Sequence, residues 1–151
     1  MYKKILVPLD GSATAERGLQ EAIGLAAPLK ARLALLHVVD DFAMLVEMSS
    51  VASYKDMLDG LRQYGQNALD KAKRAAAESG VQADICLREV TQARISEVIL
   101  EEAKRLSCDL IVMGTHGRRG FSRLTMGSNA DAVVRISSVP VLLVRQDEPR
   151  M

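Results

Sequence analysis

Short apolar runs alternate along this chain with longer segments of helical periodicity. The runs predict five strands, at residues 5–9, 33–39, 81–90, 110–113 and 141–144. Between them, apolar residues recur every three or four positions, which predicts four helices, from Ala15 to about residue 28 and at about residues 54–79, 94–106 and 128–136. This β-α-β-α-β-α-β-α-β order is typical of an α/β protein whose parallel sheet has helices on both faces.

The third predicted strand differs from the others because apolar and polar side chains alternate along it, from Val81 to Arg88. Alternation indicates a strand with one partly wet face, as at the edge of a sheet. With right-handed crossovers, the doubly wound, Rossmann-like order 3-2-1-4-5 places this strand at an edge. That order reverses between strands 1 and 4, and ligands of such sheets bind at the carboxyl ends of the strands beside the reversal.

Composition narrows the class of protein. The 151 residues carry 20 Lys and Arg against 19 Asp and Glu, and aromatic residues make up 3% with no Trp. This length predicts a single domain over residues 1–151, and the balanced charge argues against a broad nucleic-acid-binding face. No apolar stretch reaches 18 residues, which predicts that the chain does not span a membrane.

The N-terminal segment and the cysteines both favour a cytoplasmic protein. The first apolar run stops at Asp10-Gly11-Ser12 and has no small-residue cleavage site, which argues against a signal peptide. The two cysteines, Cys86 and Cys108, are too few and too far apart for a disulfide framework or a zinc site. We therefore expect a cytoplasmic protein with two reduced, half-buried thiols.

The segment after strand 4, from Gly114 to Asn129, has the composition of a phosphate-binding loop. It contains four glycines and three arginines between a buried strand and a helix. Glycine lets a ligand approach the backbone, and the helix beginning at Gly127-Ser128 offers unpaired N–H groups to an anion. Three arginines of this segment are able to neutralise phosphate charge: Arg118, Arg119 and Arg123.

Other phosphate and nucleic-acid motifs fit less well. No Gly-Lys-Ser/Thr occurs, which excludes a Walker loop, and the dinucleotide fingerprint is absent after the first strand. Gly117-Arg118-Arg119-Gly120 matches the short loop of KH domains only over four residues. His116 lacks a neighbouring carboxylate and is interpreted as a solvent-exposed loop residue, whereas His37, inside an apolar strand, is interpreted as a hydrogen-bonded core histidine.

Four segments together resemble the universal stress protein family along nearly the whole chain. The first is Gly114-x2-Gly117-x9-Gly127-Ser128, which has every anchor of that family's nucleotide-binding pattern. The others are Val7-Pro8-Leu9-Asp10-Gly11-Ser12, the run from Cys108 to Gly114, and the run from Val139 to Val144. Their occurrence in this order is what makes the resemblance specific.

The resemblance implies a role for each matching position. Pro8, Leu9 and Asp10 are implied as the floor for adenine and ribose, and the Asp10 carboxylate as a hydrogen-bond acceptor, although Asp before Gly-Ser is also a common turn and capping residue. The main chain at Val39 is implied to read the adenine edge. Contacts to ribose and phosphates are implied for the remaining positions, which are Gly114, His116, Gly117, Arg118, Gly127, Ser128 and Asn129. No metal ligand is assigned, although the nucleotide, ATP or AMP, is expected with or without Mg²⁺.

These observations lead to three hypotheses for function. The preferred one is a stress-response regulatory protein whose nucleotide-dependent conformation is recognised by an unidentified protein partner. The alternatives are a slow ATPase or phosphoryl- or nucleotidyl-transferring enzyme, and a dimeric scaffold with a vestigial site. A Gly114→Val or Gly127→Val change is expected to weaken ATP binding while the fold persists.

Two further segments carry predictions about assembly. Val141–Val144 is continuously apolar, the pattern of a strand buried on both faces, yet the strand order puts it at an edge. A second copy pairing antiparallel across a two-fold axis, giving a homodimer, would cover that edge. Residues 40–53 lack clean periodicity and are interpreted either as core or dimer packing or as a flap.

Overall fold

Five parallel strands form one sheet in the order β3-β2-β1-β4-β5 in the computed structural model of the protein, which confirms the predicted order. The structure describes residues 1–41, 51–115 and 126–146, apart from the side chains of residues 51–53. The strands are β1 (Lys4–Pro8), β2 (Arg32–Asp40), β3 (Ala83–Val90), β4 (Leu110–Gly114) and β5 (Val141–Val144). The helices are α1 (Ala13–Leu29), α2 (Val51–Glu78), α3 (Ile95–Arg105) and α4 (Ser128–Ile136).

The predicted elements all occur within the described chain, with boundaries shifted by a few residues. The largest shift is at the start of α2, which begins at Val51 rather than near Tyr54. Most of the irregular segment assigned to residues 40–53, namely residues 42–50, lies outside the described residues, so its role stays a prediction.

The first helix begins and ends on local signals that the sequence carries. Ser12 is the N-cap, and its hydroxyl accepts a hydrogen bond from the Ala15 N–H at 3.1 Å. Pro28 lies in the last turn of α1, and Lys30 then ends the helix in the left-handed conformation at φ 55°. The Ser12 cap therefore sets where the turn between β1 and α1 ends, at the carboxyl edge of the sheet, and the Lys30 cap ends α1 just before β2.

The sheet divides the core into two layers. The helices α1 and α2 cover one face, where Ile5, Leu33 and Leu69 are fully buried. The helices α3 and α4 cover the other face, where Leu6 and Ile111 are fully buried. Burial on both faces explains why the sequences of β1, β2 and β4 are nearly continuous apolar runs.

A charged residue occupies the second layer at its edge. Glu102 on α3 is completely buried and pairs with Arg88 of β3 and with Arg105, whose Nη2 lies 2.6 Å from Oε2. Hydrogen bonds from Arg105 and from Arg88 hold the pKa of Glu102 below its usual value. The apolar stripe of α3 gave no sign of this buried carboxylate.

The two cysteines are free thiols that differ in burial, whereas both were predicted to be half-buried. Cys86 on β3 is half-buried and Cys108 before β4 is buried. Burial raises the pKa of Cys108 to about 11 and, with the Glu102 carboxylate nearby, also raises the pKa of Cys86. Raised pKa values leave both sulfurs protonated and weakly nucleophilic at neutral pH.

The two edges of the sheet differ in character. The edge strand β3 is partly wet, as predicted, and its charged side chains pair with neighbours, among them Asp84 with Arg32 and Glu89 with Arg62. The other edge strand, β5, carries no charge, and Leu142 remains 40% exposed in the isolated chain. The prediction that β5 is buried on both faces is therefore not met within one copy of the chain.

Candidate functional site

The predicted site residues that are described converge on the carboxyl edge of the sheet, where the strand order reverses. There β1 ends at Pro8 beside β4, which ends at Gly114. In the turn that follows β1, the Asp10 Oδ1 accepts a hydrogen bond from the Ser12 N–H at 2.9 Å. Gly11 between them has φ +83°, a conformation that glycine adopts without strain. Asp10 thus has the turn-stabilising role that the sequence allowed.

Gly114 packs against the first turn of α1. A side chain on Gly114 would place its Cβ 2.5 Å from Thr14 Cγ2 and 3.0 Å from the Thr14 carbonyl carbon and oxygen. This contact gives Gly114 a packing reason to lack a side chain, whether or not a ligand approaches it. The expectation that Gly114→Val leaves the fold intact is therefore wrong on steric grounds.

The glycine-rich loop is closed at its base by two main-chain hydrogen bonds. The Thr115 N–H donates to the Val144 carbonyl at 3.0 Å, and the Gly127 N–H donates to the Thr115 carbonyl at 2.6 Å. The start of α4 is thereby joined to the end of β4, which brings Gly127 close to Gly114. The intervening predicted residues His116, Gly117 and Arg118 lie outside the described residues.

The N-terminus of α4 is open to an anion. Gly127 is the N-cap, with φ −60° and ψ 149°, and as a glycine it makes no side-chain capping hydrogen bond. Ser128 is exposed and Asn129 is half-buried at this first turn. Uncapped first-turn N–H groups together with the helix dipole favour a negatively charged group here.

The second strand continues past the end of β1 and lines the crevice with its main chain. The last paired residues of these two strands are Pro8 and Leu36, whereas β2 continues to Asp40 and stays paired with β3. Residues 37–40 therefore face β3 on one side and the crevice on the other.

Within this overhang, Val38 rather than Val39 faces the crevice with its main-chain groups. The Leu33 N–H donates to the Gln82 carbonyl at 2.9 Å, so odd-numbered residues of β2 direct their N–H and C=O groups to β3. Successive residues of a strand direct these groups to opposite sides. That this segment reads a base edge stays a prediction, and Val38 is the residue that the sequence interpretation missed.

His37 is buried beside the turn, as the sequence interpretation had it. The side chain is 6% exposed, and its Nδ1 lies 2.7 Å from the Leu9 carbonyl oxygen. The ring meets Tyr64 of α2 edge-on, with 6.2 Å between the ring centroids. His37 therefore joins β2, the turn after β1 and α2 at one point.

Polar pairs close the crevice beyond β2. Asp41 is buried and accepts a hydrogen bond from the Tyr54 hydroxyl, a contact that raises the pKa of Tyr54. Next to them, hydrogen bonds from Arg62 lower the pKa of Glu89 at the end of β3. These pairs connect the N-terminal half of α2 to the carboxyl ends of β2 and β3.

A separate cleft of about 260 Å³ opens between α1 and α2. Of the predicted site residues that are described, only Leu9 lines it. The lining residues are Leu9, Gly11, Ser12, Ala15, Glu16, Tyr64, Asn67, Ala68, Lys71 and Ala72. The predicted crevice and this cleft share the turn after β1.

The described residues provide neither a metal-binding cluster nor a membrane-spanning helix. No three His, Cys, Asp or Glu side chains of residues 1–41, 51–115 and 126–146 lie together as a metal-binding group would. In the same residues, no helix has the length and apolar character needed to cross a membrane.

Sequence comparisons identify the relatives of this chain. The family model described as "Universal stress protein family" matches residues 1–145. The universal stress protein MJ0531 of Methanocaldococcus jannaschii is 34% identical over 97% of this chain and 84% of that protein. The universal stress protein YxiE of Bacillus subtilis is 33% identical over 96% of this chain and all of that protein.

Solved structures share the fold. The structure of MJ0577 from Methanocaldococcus jannaschii superposes with a TM-score of 0.86 at 28% identity and covers 99% of each chain. A more distant protein of Arabidopsis thaliana, solved with AMP bound, has a TM-score of 0.70 at 19% identity over 96% of this chain and 92% of its own. At that identity the likeness shows the fold alone.

Proposed function

This chain belongs to the universal stress protein family, and from that premise we propose that it binds an adenine nucleotide, ATP or AMP, in the crevice between the ends of β1, β2 and β4. The observation that carries the proposal is the Val38 main chain, which faces the crevice with one donor and one acceptor. The Watson–Crick edge of adenine has an acceptor, N1, next to a donor, the 6-amino group. The main-chain groups of Val38 and the Watson–Crick edge of adenine are therefore complementary in hydrogen bonding.

The remaining predicted residues would serve the sugar and the phosphates. The Asp10 carboxylate, whose Oδ1 accepts a hydrogen bond from the Ser12 N–H in the turn, would also accept hydrogen bonds from ribose hydroxyls, and Pro8 and Leu9 would provide apolar contact beneath the base. The phosphates would accept hydrogen bonds from the first-turn N–H groups of α4, at Ser128 and Asn129. We propose in addition that His116, Gly117 and Arg118 of the glycine-rich loop approach the phosphates.

Relatives of the same fold support the ligand class. Distant proteins of this fold have been solved in complex with AMP, dAMP and cAMP. All three ligands share the adenine base and one phosphate. We propose that Mg²⁺, where it accompanies ATP, is held mainly by the phosphates, as this ion prefers few protein ligands.

The biological output that we propose is a nucleotide-dependent conformation, recognised by another protein in the cytoplasm. Phosphates bound at the start of α4 would act on β4 as well, since the Gly127 N–H donates to the Thr115 carbonyl directly after β4. The scaffold alternative predicts no ligand, so mass spectrometry of small molecules released from the purified protein separates the two.

We also propose that the protein is a homodimer through β5. The row of main-chain groups along this edge lacks the charged side chains that protect β3, and Leu142 adds an exposed apolar side chain. Antiparallel pairing of two β5 strands across a two-fold axis would pair these main-chain groups and bury the Leu142 side chain.

Calorimetry on paired variants tests nucleotide binding. We expect Gly127→Val to weaken ATP binding by about tenfold or more and to leave adenosine binding nearly unchanged, because the new side chain stands at the phosphate end. Its φ of −60° suits any residue, so the fold should persist. Asp10→Asn retains the bond to the Ser12 N–H and should weaken ATP and adenosine alike, by roughly tenfold.

Asp70→Asn makes the same charge change on the exposed surface of α2 and serves as the control. Its affinities should equal those of the wild type. Equal affinity of all four proteins for ATP would contradict the assignment of the crevice.

Hydrolysis of the bound nucleotide is expected to be slow or absent. No sequence motif of the chain positions a general base, and no Walker lysine is present. Phosphate release at saturating ATP with Mg²⁺ should remain well below about 1 s⁻¹, the lower end of ordinary enzyme turnover. Faster release would favour the enzyme hypothesis, and His116→Ala would then be the first variant to measure.

A further inference from the structure

The hydrogen-bond ladder between β1 and β2 ends in an exchange of partners. The Leu9 N–H donates to the Leu36 carbonyl at 2.8 Å, which extends the ladder by one bond past β1. In a regular parallel ladder, the next bond would run from the Val38 N–H to the Leu9 carbonyl. Here that carbonyl oxygen instead lies 2.7 Å from Nδ1 of His37.

This exchange has a direct consequence for the crevice. A carbonyl oxygen only accepts hydrogen bonds, so Nδ1 of His37 carries the proton that it donates to Leu9. Among the described residues, the Val38 N–H then has no main-chain acceptor. An unsatisfied donor at an otherwise regular strand is available to a ligand acceptor.

The ring of His37 is held in place by α2. A Cβ on Gly65 would lie 2.4 Å from Cδ2 and 2.9 Å from Nε2 of the imidazole, so the absence of a side chain at Gly65 makes room for the ring. Tyr64 packs against the ring edge from the same helix turn. The imidazole therefore reaches the Leu9 carbonyl because α2 fits closely around it.

We infer that His37 is a positioning residue for base recognition: its imidazole occupies the Leu9 carbonyl and thereby keeps the Val38 N–H free for a purine ring nitrogen that accepts a hydrogen bond. The inference rests on the proposed function for the identity of the ligand. The exchange of partners between Leu9, His37 and Val38 does not depend on the identity of the ligand and is tested separately. The ligand class is a 6-aminopurine nucleotide, since a 6-oxopurine carries a proton on N1 and opposes the Val38 donor.

The first experiment measures amide hydrogen exchange at Val38 by NMR in nucleotide-free protein. His37→Leu removes the donor to the Leu9 carbonyl, so the Val38 N–H should bond to that carbonyl instead. Its exchange rate should then fall by about tenfold or more. His37→Asn retains an N–H at nearly the position of Nδ1 and should exchange at the wild-type rate. Equal exchange in wild type and His37→Leu would overturn the inference, whatever the protein binds.

A second variant should also free the Leu9 carbonyl for the Val38 N–H, but it keeps the histidine. Gly65→Ala displaces the ring from the Leu9 carbonyl, because its Cβ would overlap the imidazole. Gly60→Ala, in the same helix with open space around its Cβ, is the matched control. Slow exchange at Val38 in Gly65→Ala but not in Gly60→Ala supports the inference, and wild-type exchange in both overturns it.

The second experiment compares affinities for ATP and for inosine triphosphate, a 6-oxopurine. Wild type and His37→Asn should prefer ATP by about tenfold or more, since the wrong base leaves Val38 opposed to a like donor. His37→Leu should lose most of that preference through weaker ATP binding. If the wild type binds ATP and His37→Leu keeps the full preference, the inference fails while the proposed function stands. If the wild type binds neither nucleotide, the proposed function fails and the exchange measurement decides on His37.

Discussion

A single Leu142→Glu substitution should convert the protein from a dimer to a monomer. Leu142 is 40% exposed at the middle of an edge strand whose unpaired main-chain groups face away from β4. In an antiparallel pair of β5 strands, the two copies of this residue lie near the two-fold axis. Glutamate there removes apolar contact and places two like charges in the interface.

The expected size of this effect follows from burial. Covering the exposed part of two leucines contributes about 1 kcal/mol each, and repulsion between the two carboxylates acts in the same direction. The dissociation constant of the dimer should rise by about 100-fold or more. Sedimentation equilibrium over a concentration series measures it directly.

Leu142 is preferable for this test to its neighbour Leu143. Leu143 packs against the core layer beneath α3 and α4, so an acidic residue there would also destabilise the monomer. Met57→Glu, which makes the same kind of change at a 50% exposed position on α2, is the control and should stay dimeric. A wild-type protein that is monomeric at high micromolar concentration would show that β5 does not mediate assembly.

Substitution of Gly114 should destabilise the fold, because a side chain there would overlap the first turn of α1. The Cβ of Gly114→Ala would lie 2.5 Å from Thr14 Cγ2 and 3.0 Å from main-chain atoms of the same residue. Overpacking of this kind costs about 1–3 kcal/mol in free energy of unfolding. Gly114→Val adds two methyl groups to the same contact and should yield little folded protein.

Because one of the close atoms belongs to a side chain, a second substitution should recover part of the stability that Gly114→Ala loses. Thr14→Ser removes Cγ2 but leaves the main-chain contact, so the double variant with Gly114→Ala should recover roughly 1 kcal/mol relative to Gly114→Ala alone. Urea denaturation of the four proteins gives the coupling free energy. Gly24→Ala, in open space on α1, is the control and should increase stability by about 0.5–1 kcal/mol. Strict additivity of the two substitutions would show that Thr14 does not limit the space at Gly114.

The contrast between Gly114 and Gly127 matters for the interpretation of binding data. Both belong to the glycine pattern that implies nucleotide binding, but Gly114 is enclosed by α1, whereas the backbone of Gly127 has ordinary dihedral angles at the start of α4. A loss of ATP binding in Gly114 variants would not separate a missing contact from a damaged fold. Gly127 is therefore the glycine at which binding is tested most directly.

The sequence by itself determined the architecture, because each feature that decides it is recorded in side-chain polarity. Continuous apolar runs identified β1, β2 and β4 as buried on both faces, and the alternation from Val81 to Arg88 identified the edge strand. With right-handed crossovers, these patterns left the order that the structure confirms. The composition of residues 114–129 predicted a phosphate-binding loop, which stays a prediction, whereas the resemblance to the universal stress protein family is confirmed by the family model.

Only the tertiary structure decided which main-chain groups face the crevice. Side-chain periodicity tells which face of the sheet a residue occupies, but it does not tell which neighbouring strand its N–H approaches. That choice depends on the pairing of β2 with β3, and it selects Val38 over Val39. The same holds for Gly114, which contacts Thr14 only after α1 has folded back, and for Glu102, which is buried because Arg88 and Arg105 reach it from separate elements. Contacts between residues distant along the chain follow from packing geometry, which a linear pattern of polarity does not contain.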